Sequence, residues 1–442
     1  MKASKYNFFY EFPEDMEKLI AYNARTNALA LIEKENYIKY QNFVDKSIAI
    51  DDEKLIEDLK KGQFLIDDEL DELDLLKYNM LSSKFDTRHL GLTIAPTMNC
   101  NFDCIYCYEK NERQNVTMSK DVQDKIVEFV KQQTKYVESI NIGWYGGEPL
   151  LAFDVVKDIS ERVMNICKEK DIMYSSFIVT NGYKLNKKIA EELKKLNMEF
   201  MQITLDGPED IHNKRRPLKG GQGTFCKILE NMSELVDILP DISLRINVDK
   251  ENVERVDEIL EELDKFGLKN KVYAYLGYVE PINGCYSTGK CLTMKEYSNI
   301  DFEFSDKLKK LGFVENNISG YPNLKTNFCG ADKTNSLVID PNGDIYKCWS
   351  DIGMVEYKVG NIMDNISVNT DKYMKYILYD STQDNECMNC KMLPICMGGC
   401  PRRRIDGKVD RCSSYKYVLK EYLEKTAIIK KEELRKNKTV EA

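Results

Sequence analysis

The sequence predicts an α/β protein: a partial (β/α)6 barrel, preceded by a small β-then-α module and followed by a cysteine-rich segment. Three observations carry this. Strand and helix signals alternate between residues 91 and 285, which implies parallel strands joined by right-handed crossovers. Residues 1–90 hold no cysteine and read as short aromatic and aliphatic strands followed by helical patterns. After about residue 290 the alternation fades, and residues 325–415 are loop-rich and hold seven of the 14 cysteines.

In the first module, Tyr6–Phe12, Lys18–Tyr22 and Ala28–Glu33 are strand-like, and Asn23-Ala24-Arg25-Thr26-Asn27 reads as a turn. Helical patterns follow at Tyr37–Val44, Glu53–Lys61 and Glu69–Leu81, the last with Leu70, Leu73 and Leu76 in register. The barrel strands are expected at Gly91–Ala95, Ser139–Tyr145, Tyr174–Thr180, Phe200–Leu205, Ser243–Val248 and Val272–Leu276. Helices are expected at Lys120–Gln133, Phe153–Lys168, Lys187–Leu196, Phe225–Leu239 and Val253–Phe266. Glycine-rich turns end several strands, and ligands of such barrels sit at strand C-termini. A final helical pattern covers Ser413–Lys431. The expected boundaries are 1–88 for the first module, 89–290 for the barrel, 291–325 for a bridge, 326–415 for the cysteine-rich domain and 416–442 for a C-terminal helix and tail.

The 442 residues, 43% hydrophobic and 31% charged, suit a globular protein with a sizeable core. The formal charge of −9 (64 basic against 73 acidic residues) argues against general binding to nucleic acid or anionic lipid. The start, MKASKYNFFYEF, has no signal-peptide core, and no apolar run reaches the ~18 residues of a membrane span. A cytoplasmic location is therefore expected. In that reducing compartment clustered thiols bind metal more often than they pair. Only two histidines, His89 and His212, accompany the 14 cysteines, which favours all-thiolate sites, the usual holders of iron–sulfur clusters.

Cys100, Cys104 and Cys107 form C-x3-C-x2-C just past a predicted strand, with Phe102, Tyr106 and Tyr108 interleaved. Three thiols on one tight loop can hold three irons of a cubane and leave the fourth open for chemistry. Gly146-Gly147-Glu148-Pro149, Thr180-Asn181-Gly182 and Thr204-Leu205-Asp206-Gly207-Pro208 lie at successive strand ends, and Asn213-Lys214-Arg215-Arg216 follows. Together these resemble the radical S-adenosylmethionine (SAM) superfamily over roughly residues 90–290. The resemblance implies that Cys100, Cys104 and Cys107 hold a [4Fe–4S] cluster that binds SAM. By the same resemblance Gly146, Gly147 and Glu148 form the turn for the methionyl end, Tyr106 lies near the adenine, and Thr204 and Arg216 meet the ribose or carboxylate. Reductive cleavage of SAM would then give a 5′-deoxyadenosyl radical that takes a hydrogen from a substrate carbon.

The later cysteines, Cys329, Cys348, Cys387, Cys390, Cys396, Cys400 and Cys412, are joined by Gly343 five residues before Cys348. This series resembles the SPASM domain of radical SAM peptide-modifying enzymes, which carries two auxiliary [4Fe–4S] clusters, making three in all. By that resemblance Cys387, Cys390, Cys396 and Cys412 hold the distal auxiliary cluster, and Cys329, Cys348 and Cys400 the nearer one. Two departures bear on the reaction. The related sulfatase maturases have a further cysteine before the first of these, where Ser319-Gly320-Tyr321-Pro322-Asn323 offers none. The nearer cluster would then keep an open iron for a substrate thiolate, unless Cys285, Cys291 or water fills it. Those maturases also place a catalytic Asp after the second SPASM cysteine, where this chain has Trp349, with Asp351 two residues on. Cys167 and Cys226 read as core or surface thiols, and His212 as structural; His89 is unassigned.

The first module resembles the winged-helix-like peptide-recognition element of enzymes that modify ribosomally made peptides. The strands Lys18–Glu33 and the acidic helix near Glu69–Leu81 would bind a leader, an edge strand being able to add one more strand. The expected function is a peptide maturase that forms cysteine thioether crosslinks. Its partners would be a ribosomally synthesised precursor peptide with a leader and an electron donor such as flavodoxin or ferredoxin. The alternatives are sulfatase maturation, another peptide crosslink or epimerisation, an iron–sulfur protein that binds peptide or carries electrons without radical chemistry, and a zinc scaffold.

Overall fold

Strands β1 (Asn7–Glu11), β2 (Lys18–Asn23) and β3 (Ala28–Glu33) form an antiparallel sheet in which β2 is central, pairing Phe9 with Ala21 and Ala21 with Ala30. The computed structural model describes residues 1–110, 115–313, 321–364, 371–407 and 410–440. Ser319 and Gly320 of the segment without a cysteine lie outside the described residues. The β2–β3 turn is closed by the Asn23 side chain, which accepts from the Arg25 and Thr26 amides at 3.0 Å each, with Asn27 at φ +61°. Helices α1 (Lys34–Lys46), α2 (Glu53–Lys61) and α3 (Glu72–Lys84) follow. Asp52 caps α2 by accepting from the Leu55 amide. A buried ion pair, Arg25 Nε to Glu72 Oε1 at 2.7 Å, fastens the turn to the start of α3, and the Ser4 hydroxyl donates to the same carboxylate oxygen.

The chain divides into two compact units: residues 1–84, 318–329 and 379–442 form one, and residues 85–317 and 330–378 the other. In the first, Tyr6, Phe12, Ile20 and Tyr22 share a core with Leu76 and Met80 of α3 and with Leu419 and Leu423 of the C-terminal helix Tyr415–Val440. That helix is interrupted at Val418 (φ −134°).

The second unit opens with β4 (His89–Ile94), α4 (Lys120–Gln133), β5 (Ser139–Trp144), α5 (Phe153–Lys170), β6 (Met173–Thr180) and α6 (Lys187–Lys195). It continues with β7 (Met198–Leu205), α7 (Glu209–Arg215), α8 (Phe225–Leu235), β8 (Asp241–Val248), α9 (Glu258–Lys265), β9 (Val272–Tyr278) and α10 (Met294–Lys310). Strands β4 to β9 pair in sequence order and all in parallel. Every crossover thus delivers the next strand with its C-terminal end on the same side. The helix-facing residues Leu92, Ile94, Ile142, Ile203, Leu244 and Ile246 are almost fully buried.

Two features differ from the sequence expectation. The pattern at Val253–Phe266 is a single 3-10 turn, Val253–Arg255, and then α9, because the Asn252 side chain donates to the Asp206 and Asn247 carbonyls and fixes the entry. The loop-rich region also supplies β10 (Ser336–Ile339), which extends the sheet beyond β4 in parallel, followed by the antiparallel strands β11 (Asp344–Tyr346) and β12 (Gly360–Asn361). Ser336–Ile339 is too short to register as a strand among the turn residues around it.

Candidate active site

The C-terminal ends of the parallel strands open on one cavity of about 370 Å³, within the size range of small-molecule sites. The loop after β4 carries Cys100, Cys104 and Cys107, all lining this cavity, the first two buried and the third half-buried. The loop is held by backbone bonds rather than by packing alone. Asp103 N donates to Pro217 O at 2.9 Å and Ile105 N to Arg215 O at 3.0 Å. Phe102 anchors it, fully buried and edge-on to Tyr183.

The glycine turn follows β5 directly. Gly146 has φ +97°, a conformation that only glycine adopts without strain. A Cβ on Gly147 would lie 2.3 Å from Asn99 O and 2.6 Å from Met98 O, so the turn and the cysteine loop touch backbone to backbone. Glu148 is buried and accepts from Thr180 Oγ1 at 2.6 Å, Asn181 N at 2.7 Å and Leu150 N at 3.0 Å. Burial raises its pKa above the usual carboxylate value, and these three bonds pull it back. Asn181 Nδ2 reaches Asn101 Oδ1 at 2.9 Å and lies 3.9 Å from Cys100 Sγ.

Tyr106, between two of the cysteines, donates to Asp206 Oδ1 at 2.8 Å and accepts from Arg216 Nη1 at 2.9 Å and Asn247 Nδ2 at 3.0 Å. Its hydroxyl is thus fully engaged, leaving its ring and backbone to meet a ligand. Arg215 bridges Asp206 and Asp249 at 2.8 and 2.7 Å, both pairs buried. Arg216 forms no ion pair among the described residues, and its buried Nε has no hydrogen-bond partner. Thr204 lies beside it, buried in the cavity wall. His212 is buried between the Asp206 amide and Thr224 Oγ1, and burial holds its pKa well below the ordinary histidine value. It serves as a neutral structural group.

All nine site residues that the sequence assigns around the SAM pocket therefore meet in one cavity: the three cysteines, Tyr106, Gly146, Gly147, Glu148, Thr204 and Arg216. Sequence reasoning missed Gln202, Arg245, Asn247 and Glu280. The signal was present. Gln202 and Thr204 on β7, and Arg245 and Asn247 on β8, are polar pairs at i and i+2 near strand C-termini, where one face meets the cavity. Opposite stands an aromatic wall. Trp349 stacks on Tyr145 at 5.2 Å, and the Tyr145 and Tyr108 hydroxyls are paired. Asp351 is not part of the wall; it is buried and accepts from Tyr376 OH at 2.7 Å.

The cavity fits the group that the cysteine loop implies. Three thiols line it, and so does Arg216, whose buried Nε has no hydrogen-bond partner and could serve an anion. Among the described residues no three His, Cys, Asp or Glu side chains close around a single metal ion; a cubane sets its thiolates farther apart, one per iron corner.

Residues 94–281 match the model of the radical SAM superfamily. The chain carries a radical SAM domain. It is accordingly an enzyme. Around this domain the chain is 26% identical over 367 residues to the cysteine-type anaerobic sulfatase-maturating enzyme of Clostridium perfringens, covering 76% of this chain and 95% of that one. It is 24% identical to the radical SAM cyclopropyl synthase TigE of Paramaledivibacter caminithermalis, over 70% of this chain and 67% of that protein. Among solved structures, native anSMEcpe with bound AdoMet superposes with a TM-score of 0.60 at 19% identity, over 77% of this chain and all of that one. Streptococcus suis SuiB bound to precursor peptide SuiA gives 0.55 at 16% identity, over 93% and 99%. At these identities the structural likeness establishes the fold, an α/β radical SAM fold with a mostly parallel sheet.

The remaining cysteines are placed as follows. Cys329, Cys387, Cys390, Cys396, Cys400 and Cys412 lie in the first unit, and Cys348 follows β11 in the second. Cys387 and Cys390 share a tight turn, with Cys390 N donating to Cys387 O at 3.0 Å. Burial pushes the Cys387 thiol up to about 11. Gly399 (φ +75°) lets Cys400 N donate to Arg411 O at 2.9 Å, beside Cys412; a Cβ there would sit 1.9 Å from that oxygen. Cys167 is buried within α5, and Cys226 is exposed on α8. The Cys285 thiol donates to the Ile282 carbonyl at 2.8 Å and reaches the Tyr106 carbonyl at 3.5 Å, while Cys291 is buried. Among the described residues no helix is long and apolar enough to cross a membrane.

Proposed function

We propose that this protein is a radical SAM/SPASM maturase that joins a cysteine sulfur to an acceptor carbon in a ribosomally synthesised peptide. The observation that carries this reading is the cavity wall after β11. Trp349 stands there, stacked on Tyr145, at the position where the resemblance to sulfatase maturases leads one to expect an Asp, and Asp351 faces away into a bond with Tyr376. The similarity to a sulfatase-maturating enzyme and to the fold of SuiB, which is described as bound to a precursor peptide, supports a protein or peptide substrate.

Cys100, Cys104 and Cys107 would hold a [4Fe–4S] cluster, the glycine turn and Arg216 would take the methionyl end of SAM, and Tyr106 would bear on the adenine. Bound there, cluster and SAM supply a 5′-deoxyadenosyl radical that abstracts hydrogen. The chain's own part is orientation and exclusion of water. The backbone contact at Gly147 fixes the turn against the loop, and Trp349, Tyr145 and Tyr108, which line the cavity, would close the side facing the substrate. Cys387, Cys390, Cys396 and Cys412 would hold a distal auxiliary cluster, and Cys329, Cys348 and Cys400 a nearer one with three thiolates. The β1–β3 sheet and α3 would bind the leader, and a flavodoxin or ferredoxin would supply electrons. The domain boundaries at 88/89, 290/291, 325/326 and 415/416 belong to this proposal.

The test is accurate mass spectrometry of a cysteine-containing peptide encoded beside this gene. It is co-expressed anaerobically and then alkylated after reduction. Loss of two hydrogens per crosslink, with one thiol lost to alkylation each time, is the expected result. Hydrogen loss with every thiol still alkylatable would overturn thioether formation. Formylglycine formation is the second reading, favoured by the identity to the Clostridium perfringens enzyme. It predicts an aldehyde on a sulfatase-derived peptide instead.

A further inference from the structure

Three hydrogen-bond donors converge on two of the four thiols assigned above to the distal cluster. Lys416 Nζ lies 3.4 Å from Cys412 Sγ. Arg411 Nη2 and the Tyr379 hydroxyl each lie 3.7 Å from Cys387 Sγ. All five residues belong to one compact unit. Among the described residues neither Cys390 nor Cys396 receives such a bond at sulfur, so the donors fall on Cys387 and Cys412.

The three donors differ in charge. Arg411 is also paired with Asp384 at 3.0 Å and Glu386 at 3.3 Å, so it brings a directed N–H with little net charge. The Tyr379 hydroxyl is neutral and shares its attention with Asp384 at 3.2 Å, while the Arg404 guanidinium lies 3.5 Å over its ring. Lys416 forms no ion pair among the described residues, and the charge bearing most strongly on it is the Cys412 sulfur. The Asp410 carboxylate, which accepts from the Cys412 amide at 2.9 Å, bears on both Lys416 and Cys412, so the lysine charge reaches the sulfur partly offset.

We infer that Lys416, with Arg411 and Tyr379, raises the reduction potential of the distal auxiliary cluster. Taking up one electron adds one negative charge, part of which resides on the ligating sulfurs. A cation and N–H or O–H donors at those sulfurs stabilise the reduced form more than the oxidised one. Of the three donors Lys416 lies nearest its sulfur, and unlike Arg411 it forms no ion pair among the described residues. It is a positioning residue, acting through Cys412. The inference rests on the assignment of Cys387, Cys390, Cys396 and Cys412 to one cluster.

The experiment uses the full chain carrying Cys100→Ala, Cys104→Ala and Cys107→Ala, so that only the auxiliary centres remain, reconstituted anaerobically and titrated by electron paramagnetic resonance. Lys416→Gln is expected to lower the reduced-to-oxidised ratio of one centre about tenfold at a fixed solution potential, ~59 mV for a one-electron couple. The other centre should titrate unchanged, and Lys416→Arg should restore the parent behaviour. Arg411→Gln is expected to shift the same centre in the same direction. An unshifted titration in Lys416→Gln with full iron content would overturn the inference, as would loss of iron in that variant, which would make Lys416 a structural support. A separate arm tests the assignment itself. If Cys387→Ala with Cys412→Ala loses no iron, the distal cluster is not held there, and the inference falls with it for a different reason.

Discussion

The Glu148 amide donates to the Asn99 carbonyl at 2.8 Å, tying the glycine turn after β5 to the residue just before Cys100. The contact leaves no room for a side chain between them. Gly147→Ala would place a methyl within 2.3 Å of that same carbonyl, and backbone cannot swing aside as a flexible side chain can. The variant is expected to keep its fold by circular dichroism, yet lose most SAM binding in equilibrium dialysis and part of its iron. Unchanged SAM binding would show that turn and loop do not form one site.

The Tyr106 hydroxyl is shared by Arg216, Asn247 and Asp206. Tyr106→Phe removes one donor and one acceptor from a buried network and leaves Arg216 with two unpaired nitrogens. A loss of about 1–3 kcal/mol in stability is expected, together with weaker SAM binding. Thermal unfolding and dialysis under nitrogen would measure both.

Trp349 and Tyr145 form the wall on the side where a substrate would approach. Trp349→Ala is expected to raise the 5′-deoxyadenosine released per modified peptide several-fold, because SAM cleavage continues while the peptide is held loosely. A ratio equal to that of the parent enzyme would remove Trp349 from substrate positioning.

Asp340 closes the β10–β11 turn, its Oδ1 accepting from the Asn342 and Asp344 amides at 2.9 Å each. Burial first, and the Asp344 carboxylate second, push its pKa up to about 6 from 3.8. The folded chain thus keeps a proton that the unfolded chain releases. The stability from this group is fully present below about pH 4 and is lost as the pH rises through about 6. Asp340→Asn retains the accepting oxygen and removes the titration. Its melting temperature should match the parent near pH 4.5 and exceed it at pH 7, by no more than ~3 kcal/mol in stability.

How much of this was legible in the sequence depended on where the information lay. The strands from Ser139 to Val248 alternate cleanly with helices, and each is long enough for its periodicity to register. The cysteine loop and the glycine turn were legible because their chemistry restricts residue type at fixed spacing. The short strand Ser336–Ile339 was not, since its partner is His89–Ile94, some 250 residues away in the chain, and no local pattern reports that pairing. Arg245 went unremarked for a related reason. A single arginine in a strand reads as a surface charge until its register places it on the cavity wall. The role of Tyr106 was legible in part. Its position on the loop was, but the engagement of its hydroxyl by Asp206 and Arg216 depends on a turn 100 residues on.

The most direct measurement is the release of 5′-deoxyadenosine. The anaerobically reconstituted protein, reduced with dithionite and supplied with SAM, is compared with its Cys104→Ala variant by liquid chromatography and mass spectrometry. The account predicts 5′-deoxyadenosine and methionine in equal amounts from the parent and neither from the variant. A parent protein with a full complement of iron that leaves SAM intact would contradict it, and would return this chain to the class of iron–sulfur proteins without radical chemistry.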